Sequence, residues 1–184
     1  MVILESSNVN EKITGFATEI STVSNVTIQS FLSIDMSTNL SEGIQYGNVA
    51  SLPAYNVNST HNYDNQGGVE NLSSMFINVS IDSNTAVDLC LKADDDLNDS
   101  AGGNIIGITN MTYANNTYNN LTLPNMTTDN SLALDTYEKG TVDLPKGNSS
   151  FFRFWLDVPA STVAGSYNNS IYFKGVQNGS ACGS

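Results

Sequence analysis

Five stretches of this chain alternate apolar and polar residues with a period of two, and nothing in it sustains the 3.6-residue period of a helix. Val26, Ile28, Leu32, Ile34 and Met36 alternate with Thr27, Gln29, Ser33 and Asp35. Met75, Ile77, Val79 and Ile81 do so with Asn78, Ser80 and Asp82. Val87, Leu89 and Leu91 oppose Asp88, Cys90 and Lys92. Phe152, Phe154, Leu156 and Val158 are interleaved with Arg153, Trp155 and Asp157, and Pro159 ends the run. Ile171, Phe173 and Gly175 oppose Tyr172, Lys174 and Val176. The β-branched and aromatic content of these runs suits a pleated surface. Gly-, Asn- and Asp-rich punctuation at 65–68, 94–103, 115–120, 146–148 and 164–165 separates them. Short strands with such turns predict an all-β chain: one jelly-roll-like β-sandwich domain over 25–184, preceded by an N-terminal extension strand over 1–24. The stretch 112–130, rich in Asn and Thr, reads as a long decorated excursion from that domain.

The polarity of the chain is unusual in kind. Charged residues make up 13% of it, against roughly 25% in an average soluble domain. Asn, Ser and Thr carry the rest, at 25, 23 and 16 of the 184 residues. The few charges are lopsided, 6 Lys and Arg against 18 Asp and Glu, for a net charge of −12. No cation cluster exists that could release counterions from a phosphate backbone, so nucleic acid is not an expected partner. This is the composition of a secreted or cell-surface protein.

Thirteen Asn-x-Ser/Thr sequons sharpen that reading: Asn25, Asn39, Asn58, Asn71, Asn78, Asn98, Asn110, Asn115, Asn120, Asn125, Asn148, Asn168 and Asn178. Chance pairing of these residue frequencies gives roughly 5, so the density suggests a surface carrying N-linked glycans. The plain alternative is that Asn, Ser and Thr serve turns and exposed strands without sugar. Loop sequons such as Asn58, Asn115, Asn120, Asn125 and Asn148 are the expected carriers. Alternation also turns Asn78 away from Ile77 and Val79, towards solvent.

Cys90 and Cys182 lie 92 residues apart, neither in a CxxC. In an exported protein they are read as one disulfide tying the C-terminus to an interior strand, with two buried free thiols as the alternative. His61 is the chain's one histidine, which leaves no imidazole set for zinc or for a Ser-His-Asp triad. There is no GxSxG, no GxGxxG, and no pair of carboxylates singled out for glycoside hydrolysis. No enzymatic activity is expected.

Two further segments draw notice. Asp94, Asp96 and Asn98 have the D-x-D-x-N spacing of a loop that ligates a hard cation, so Ca²⁺ is a candidate cofactor. Asp99 and Ile105 stand where an EF-hand has Gly and Glu, which favours a solvated turn instead. Ahead of the first alternating run, Ile13, Phe16 and Ile20 are apolar positions in a β-compatible stretch. They suit either an edge strand of the same domain or a strand donated to a neighbouring subunit. No apolar run reaches the 18 residues of a membrane span, and 1–4 is too short for a signal-peptide core, so export is inferred from composition.

Several pieces together resemble the archaeal bundling pilins, a group similar to the TasA-like biofilm matrix proteins. They are Ser41-Glu42-Gly43-Ile44-Gln45-Tyr46-Gly47-Asn48-Val49, Val87-Asp88-Leu89-Cys90-Leu91-Lys92-Ala93, Arg153-Phe154-Trp155-Leu156-Asp157-Val158-Pro159, Ala164-Gly165-Ser166-Tyr167-Asn168-Asn169-Ser170 and the terminal Cys182. The resemblance implies a secreted β-sandwich that polymerises with itself by inserting an N-terminal strand into the next subunit. That role falls, by position, on the residues before Asn25. The contrasting expectation is a monomeric S-layer, adhesion or carbohydrate-binding module.

Overall fold

The computed structural model describes residues 21–183. The proposed donor positions Ile13, Phe16 and Ile20 lie outside the described residues. In chain order the described strands are β1 (Ile34–Met36), β2 (Ala54–Asn58), β3 (Asp64–Gln66), β4 (Val69–Leu72), β5 (Phe76–Val79), β6 (Val87–Ala93) and β7 (Leu97–Asp99). They continue with β8 (Ile105–Ile106), β9 (Met111–Asn116), β10 (Asn130–Ser131), β11 (Glu138–Leu144), β12 (Ser149–Val158), β13 (Tyr167–Asn168) and β14 (Ile171–Gln177). A single helical turn, α1 (Thr38–Ser41), is capped by the Ser37 side chain, which accepts from the Leu40 amide. The protein is mostly β, built of several antiparallel sheets.

The spine of the largest sheet is β12. Along one side it pairs with β9, from Phe151 opposite Asn116 to Leu156 opposite Met111. Along the other it pairs first with β5 and then with β2. β1 flanks β5 and β10 flanks β9, which gives the order β1-β5-β12-β9-β10 with β2 beside β12. In a three-stranded sheet, β6 runs between β11 and β14. β7 lies between β13 and β8 in a third sheet, and β3 and β4 pair on their own.

One apolar core serves the two larger sheets. From β12 it takes Phe152, Phe154, Leu156 and Val158, the alternation read from the sequence. From β6 it takes Val87, Leu89, Leu91 and Ala93. Phe152 meets Phe173 of β14 edge-on, ring centroids 5.4 Å apart, a geometry worth about 1 kcal/mol beyond burial. Gly140 of β11 permits a close approach, because a Cβ there would stand 2.8 Å from the Leu91 side chain.

The reverse faces of both central strands are buried too, by different means. On β12, Arg153 is 1% exposed and meets no carboxylate. Its guanidinium donates to the carbonyls of Asn62, Pro124, Asn71 and Asn120 and lies over the Tyr63 ring. On β6, Asp88 accepts from Lys139 Nζ at 2.5 Å and from the amides of Asp143 and Gly179. Burial alone would raise the Asp88 pKa, but these donors outweigh it and hold the carboxyl below its usual range.

Three sequence expectations need correction. Of the alternating run 26–36 only Ile34–Met36 joins a ladder; residues 21–33 have no regular structure, with Val26 85% and Ile28 79% exposed. The alternation is genuine, yet no described strand lies beside those residues to complete a ladder. The Asn/Thr-rich stretch 112–130 is not all excursion, since Met111–Asn116 is an inner strand of the largest sheet with Met111 and Tyr113 in the core. The loop expected over 94–103 contains β7, with Leu97 buried.

Candidate functional site

A groove of about 1140 Å³, lined by apolar and neutral polar side chains in similar measure, opens at one end of the core. Met111, Leu156 and Val158 of the largest sheet and Ile106 of β8 lie at its bottom, already well covered. The irregular segment 43–52 makes one wall, contributing Ile44, Tyr46 and Val49, and the segment 162–170 makes another. Ile171 and Phe173 of β14 also line it. None of its described lining residues is charged at neutral pH, so it offers apolar surface, amides and hydroxyls.

Two features of the groove stand incomplete. The Tyr46 hydroxyl is the one buried side-chain polar atom among the described residues with no hydrogen-bond partner. Its burial also drives its pKa well above the ordinary phenol value. Such an orphaned group costs about 1–3 kcal/mol. The second feature is the edge of β14, which among the described residues pairs only with β6. The wall 43–52 is itself lightly held: Gln45 accepts from the amide and hydroxyl of Thr60, and its side chain donates to the Glu42 carbonyl.

The same molecule carries an extended arm. Residues 21–31 are all exposed, including Val23 at 81% and Phe31 at 55%. Residues 21–28 make no hydrogen bond to any other described residue. The arm is moored at its base by Asn84, whose side chain accepts from the Phe31 amide and donates to the Gln29 carbonyl. The whole stretch 20–31 lacks a charged side chain.

The other sequence candidates fall elsewhere. Cys90 and Cys182 form a disulfide, with Cα atoms 5.9 Å apart. No described helix is long and apolar enough to cross a membrane. No metal-holding group of three acidic, His or Cys residues occurs among the described residues. Asp94 accepts from the Ser170 amide, which holds its carboxyl below the usual range. Asp96 accepts from the Ile108 amide at 2.6 Å, and the Asn98 side chain donates to the Asp96 carbonyl. Asp94 and Asp96 thus fasten this loop to the segments at Ser170 and Ile108, and Asn98 closes its own turn.

His61 sits in a polar knot that sequence reasoning missed. Its Nδ1 is 2.8 Å from Asp64 Oδ2, which also accepts from the Ser74 hydroxyl and from Asn39 Nδ2. Burial opposes ionisation of Asp64, but these contacts prevail and lower its pKa. Ser74 bonds the carboxylate and not the imidazole, so this is not the relay of a serine nucleophile. It fastens α1 to the start of β3.

The sequons divide. Asn25, Asn58, Asn71, Asn120, Asn148 and Asn168 are exposed, as is Asn178. Asn39, Asn78, Asn98, Asn110, Asn115 and Asn125 are half-buried. Two expectations are thereby revised. Asn115 is no loop residue: it lies near the end of β9, where its side chain donates to the Gly140 carbonyl and Thr141 hydroxyl of β11. Asn78 turns away from the core as alternation demands, but its amide is bound to Ser149 and the Asn148 carbonyl.

No protein-family model matches the chain, and comparisons with curated proteins and with solved structures find no match either.

Proposed function

We propose that this chain is the structural subunit of an extracellular, pilus-like filament, decorated with N-glycans, in which the N-terminal arm of one subunit fills the groove of the next. In this reading the two larger sheets are the layers of a jelly-roll-like β-sandwich, and the groove is where that sandwich lacks a strand. The observation that carries it is a complementarity within one molecule: an exposed, uncharged arm bearing Val23, Val26, Ile28 and Phe31, and an uncharged groove with apolar side chains along it. At a net charge of −12, copies of the chain repel one another, and contact is favoured where neither surface adds charge.

Eleven extended residues, 21–31, reach roughly 36 Å. Burying Val26 and Ile28, which share one face of an extended arm, contributes about 4 kcal/mol. That does not by itself cover the roughly 4–15 kcal/mol of association entropy. Added ladder bonds along β14, at about 1 kcal/mol each, and the apolar positions Ile13, Phe16 and Ile20 supply the remainder. Because arm and groove are different surfaces, the contact is head-to-tail and repeats into an open fibre. The disulfide suits an oxidising compartment such as the cell exterior.

The test is truncation before Gln29, which keeps the Asn84 mooring. The full chain is expected to form filaments in negative-stain images, and the truncated chain to remain a folded monomer. A synthetic peptide covering 13–28 should then bind the truncated monomer and block its incorporation into fibres. A full-length chain that stays a compact monomer at high concentration refutes the filament and favours the adhesion or carbohydrate-binding module. Filaments from the truncated chain refute the arm.

A further inference from the structure

N-glycosylation joins sugar C1 to the side-chain Nδ2 of asparagine. The Nδ2–C1 bond forms as the bond from C1 to the phosphate of a lipid-linked glycosyl donor breaks; the phosphate leaves with the electron pair and the amide gives up one proton. One N–H of Nδ2 survives the reaction, so a sugar is excluded where the protein engages both N–H groups in the finished fold, whatever the order of folding and modification. The Oδ1 atom faces no such demand and remains free to accept hydrogen bonds.

That criterion separates the thirteen sequons more sharply than exposure does. In Asn39, Asn78, Asn98, Asn110, Asn115 and Asn178 the Nδ2 atom donates to another group of the protein. These amides do structural work: Asn39 joins the Asp64 knot, Asn78 ties β5 to β12, Asn115 ties β9 to β11, and Asn178 holds the C-terminal tail to Asp143. Asn58, Asn120 and Asn125 are the reverse case. Asn58 Oδ1 accepts from Trp155 Nε1 at 2.8 Å, while its Nδ2 donates to no described residue. Asn120 Oδ1 accepts from both the amide and the hydroxyl of Thr122, and Asn125 Oδ1 accepts from the Thr127 amide. In each the oxygen is turned inward and the nitrogen outward.

We infer that sugar is carried by Asn25, Asn58, Asn71, Asn120, Asn125, Asn148 and Asn168, and that Asn39, Asn78 and Asn115, whose Nδ2 each donates to two groups, stay bare. The inference rests on the reading of the chain as a glycoprotein and adds which positions bear the glycan. Asn120 and Asn125 stand on one loop whose carbonyls, at Asn120 and Pro124, are held by the buried Arg153 guanidinium. That loop is a rigid mount for two adjacent sugars. Of the seven, only Asn168 lines the groove; Asn25 stands on the arm itself, on the opposite side of an extended chain from Val26 and Ile28, and the other five lie clear of the groove.

The test is site-resolved peptide mass spectrometry of the full chain secreted from a host that N-glycosylates, beside the same chain made without glycosylation. Sugar at the seven sites, with Asn120 and Asn125 occupied and with Asn39, Asn78 and Asn115 bare, is the expected result. Sugar on Asn39, Asn78 or Asn115 overturns the division while leaving the chain a glycoprotein. Thirteen bare sequons overturn the glycoprotein reading itself and the inference with it. In the unglycosylated chain, Asn115→Gln should lower the thermal midpoint and Asn148→Gln should leave it unchanged; equal effects contradict the structural role given to the donating amides.

Discussion

The Cys90 side of the molecule and the groove side are made of similar residues and differ in how completely they are partnered. β6 lies between two strands, its apolar face is in the core, and its reverse face is closed by the disulfide and the Asp88 cluster. The groove side has a strand whose second edge is vacant among the described residues, a wall without a ladder and an orphaned Tyr46 hydroxyl, and elsewhere the arm leaves Val26 and Ile28 exposed. A period-2 pattern therefore marks a segment suited to a sheet, whether or not its own subunit supplies the neighbour. On one side the chain satisfies that demand itself; on the other, in the filament reading, a second copy does.

Breaking the partnered side should be costly. The largest effect is expected from Cys90→Ala with Cys182→Ala, which frees a loop of 92 residues and should lower unfolding stability by about 4 kcal/mol in denaturant titrations. A loss under about 1 kcal/mol would mean that the tail is held without the covalent link. Next comes Arg153→Leu. It leaves four backbone carbonyls without their donor, at about 3 kcal/mol, and should also loosen the 118–124 loop in hydrogen exchange.

Asp88→Asn should remove about 2 kcal/mol at neutral pH. The Asp88 pKa is lower in the folded state than in the unfolded chain, so its contribution is present above the unfolded value of about 4. It is lost as pH falls through the lower folded value. Stability of the parent should drop across that acid range, and the Asp88→Asn variant should show a shallower drop. Identical acid profiles would remove Asp88 from the account.

The unpartnered side should respond in the opposite sense. Tyr46→Phe deletes an orphaned hydroxyl, so the isolated subunit should gain about 1 kcal/mol. A loss of similar size would show that the hydroxyl has a partner within the subunit.

Much of this contrast was legible in the sequence, and the failures are instructive. β5, β6, β12 and β14 were readable because in each an apolar residue recurs at every second position and packs on the core. β11 was missed: its pairing with β6 shifts register twice, and the bulges erase period two, so its buried residues Thr141 and Leu144 are three apart. β9 was obscured by Asn115 and Asn116, which look like loop chemistry until Asn115 is seen bridging to β11. The groove could not be read at all, because its lining gathers ordinary apolar residues from several strands and two connecting segments. The disulfide, by contrast, followed from there being two cysteines in a chain of secreted composition.

The smallest change in stability should accompany the largest change in behaviour. Val26→Asp with Ile28→Asp alters two exposed side chains, so the unfolding stability of the subunit should move by no more than about 0.5 kcal/mol. If the arm completes the neighbouring subunit, the same pair places two charges in an uncharged groove and ends assembly. The direct measurement is sedimentation with negative-stain imaging of the parent and this double variant, under identical conditions. The account predicts pelletable filaments from the parent and a soluble, folded monomer from the variant. Filaments of equal yield and form from both would contradict it.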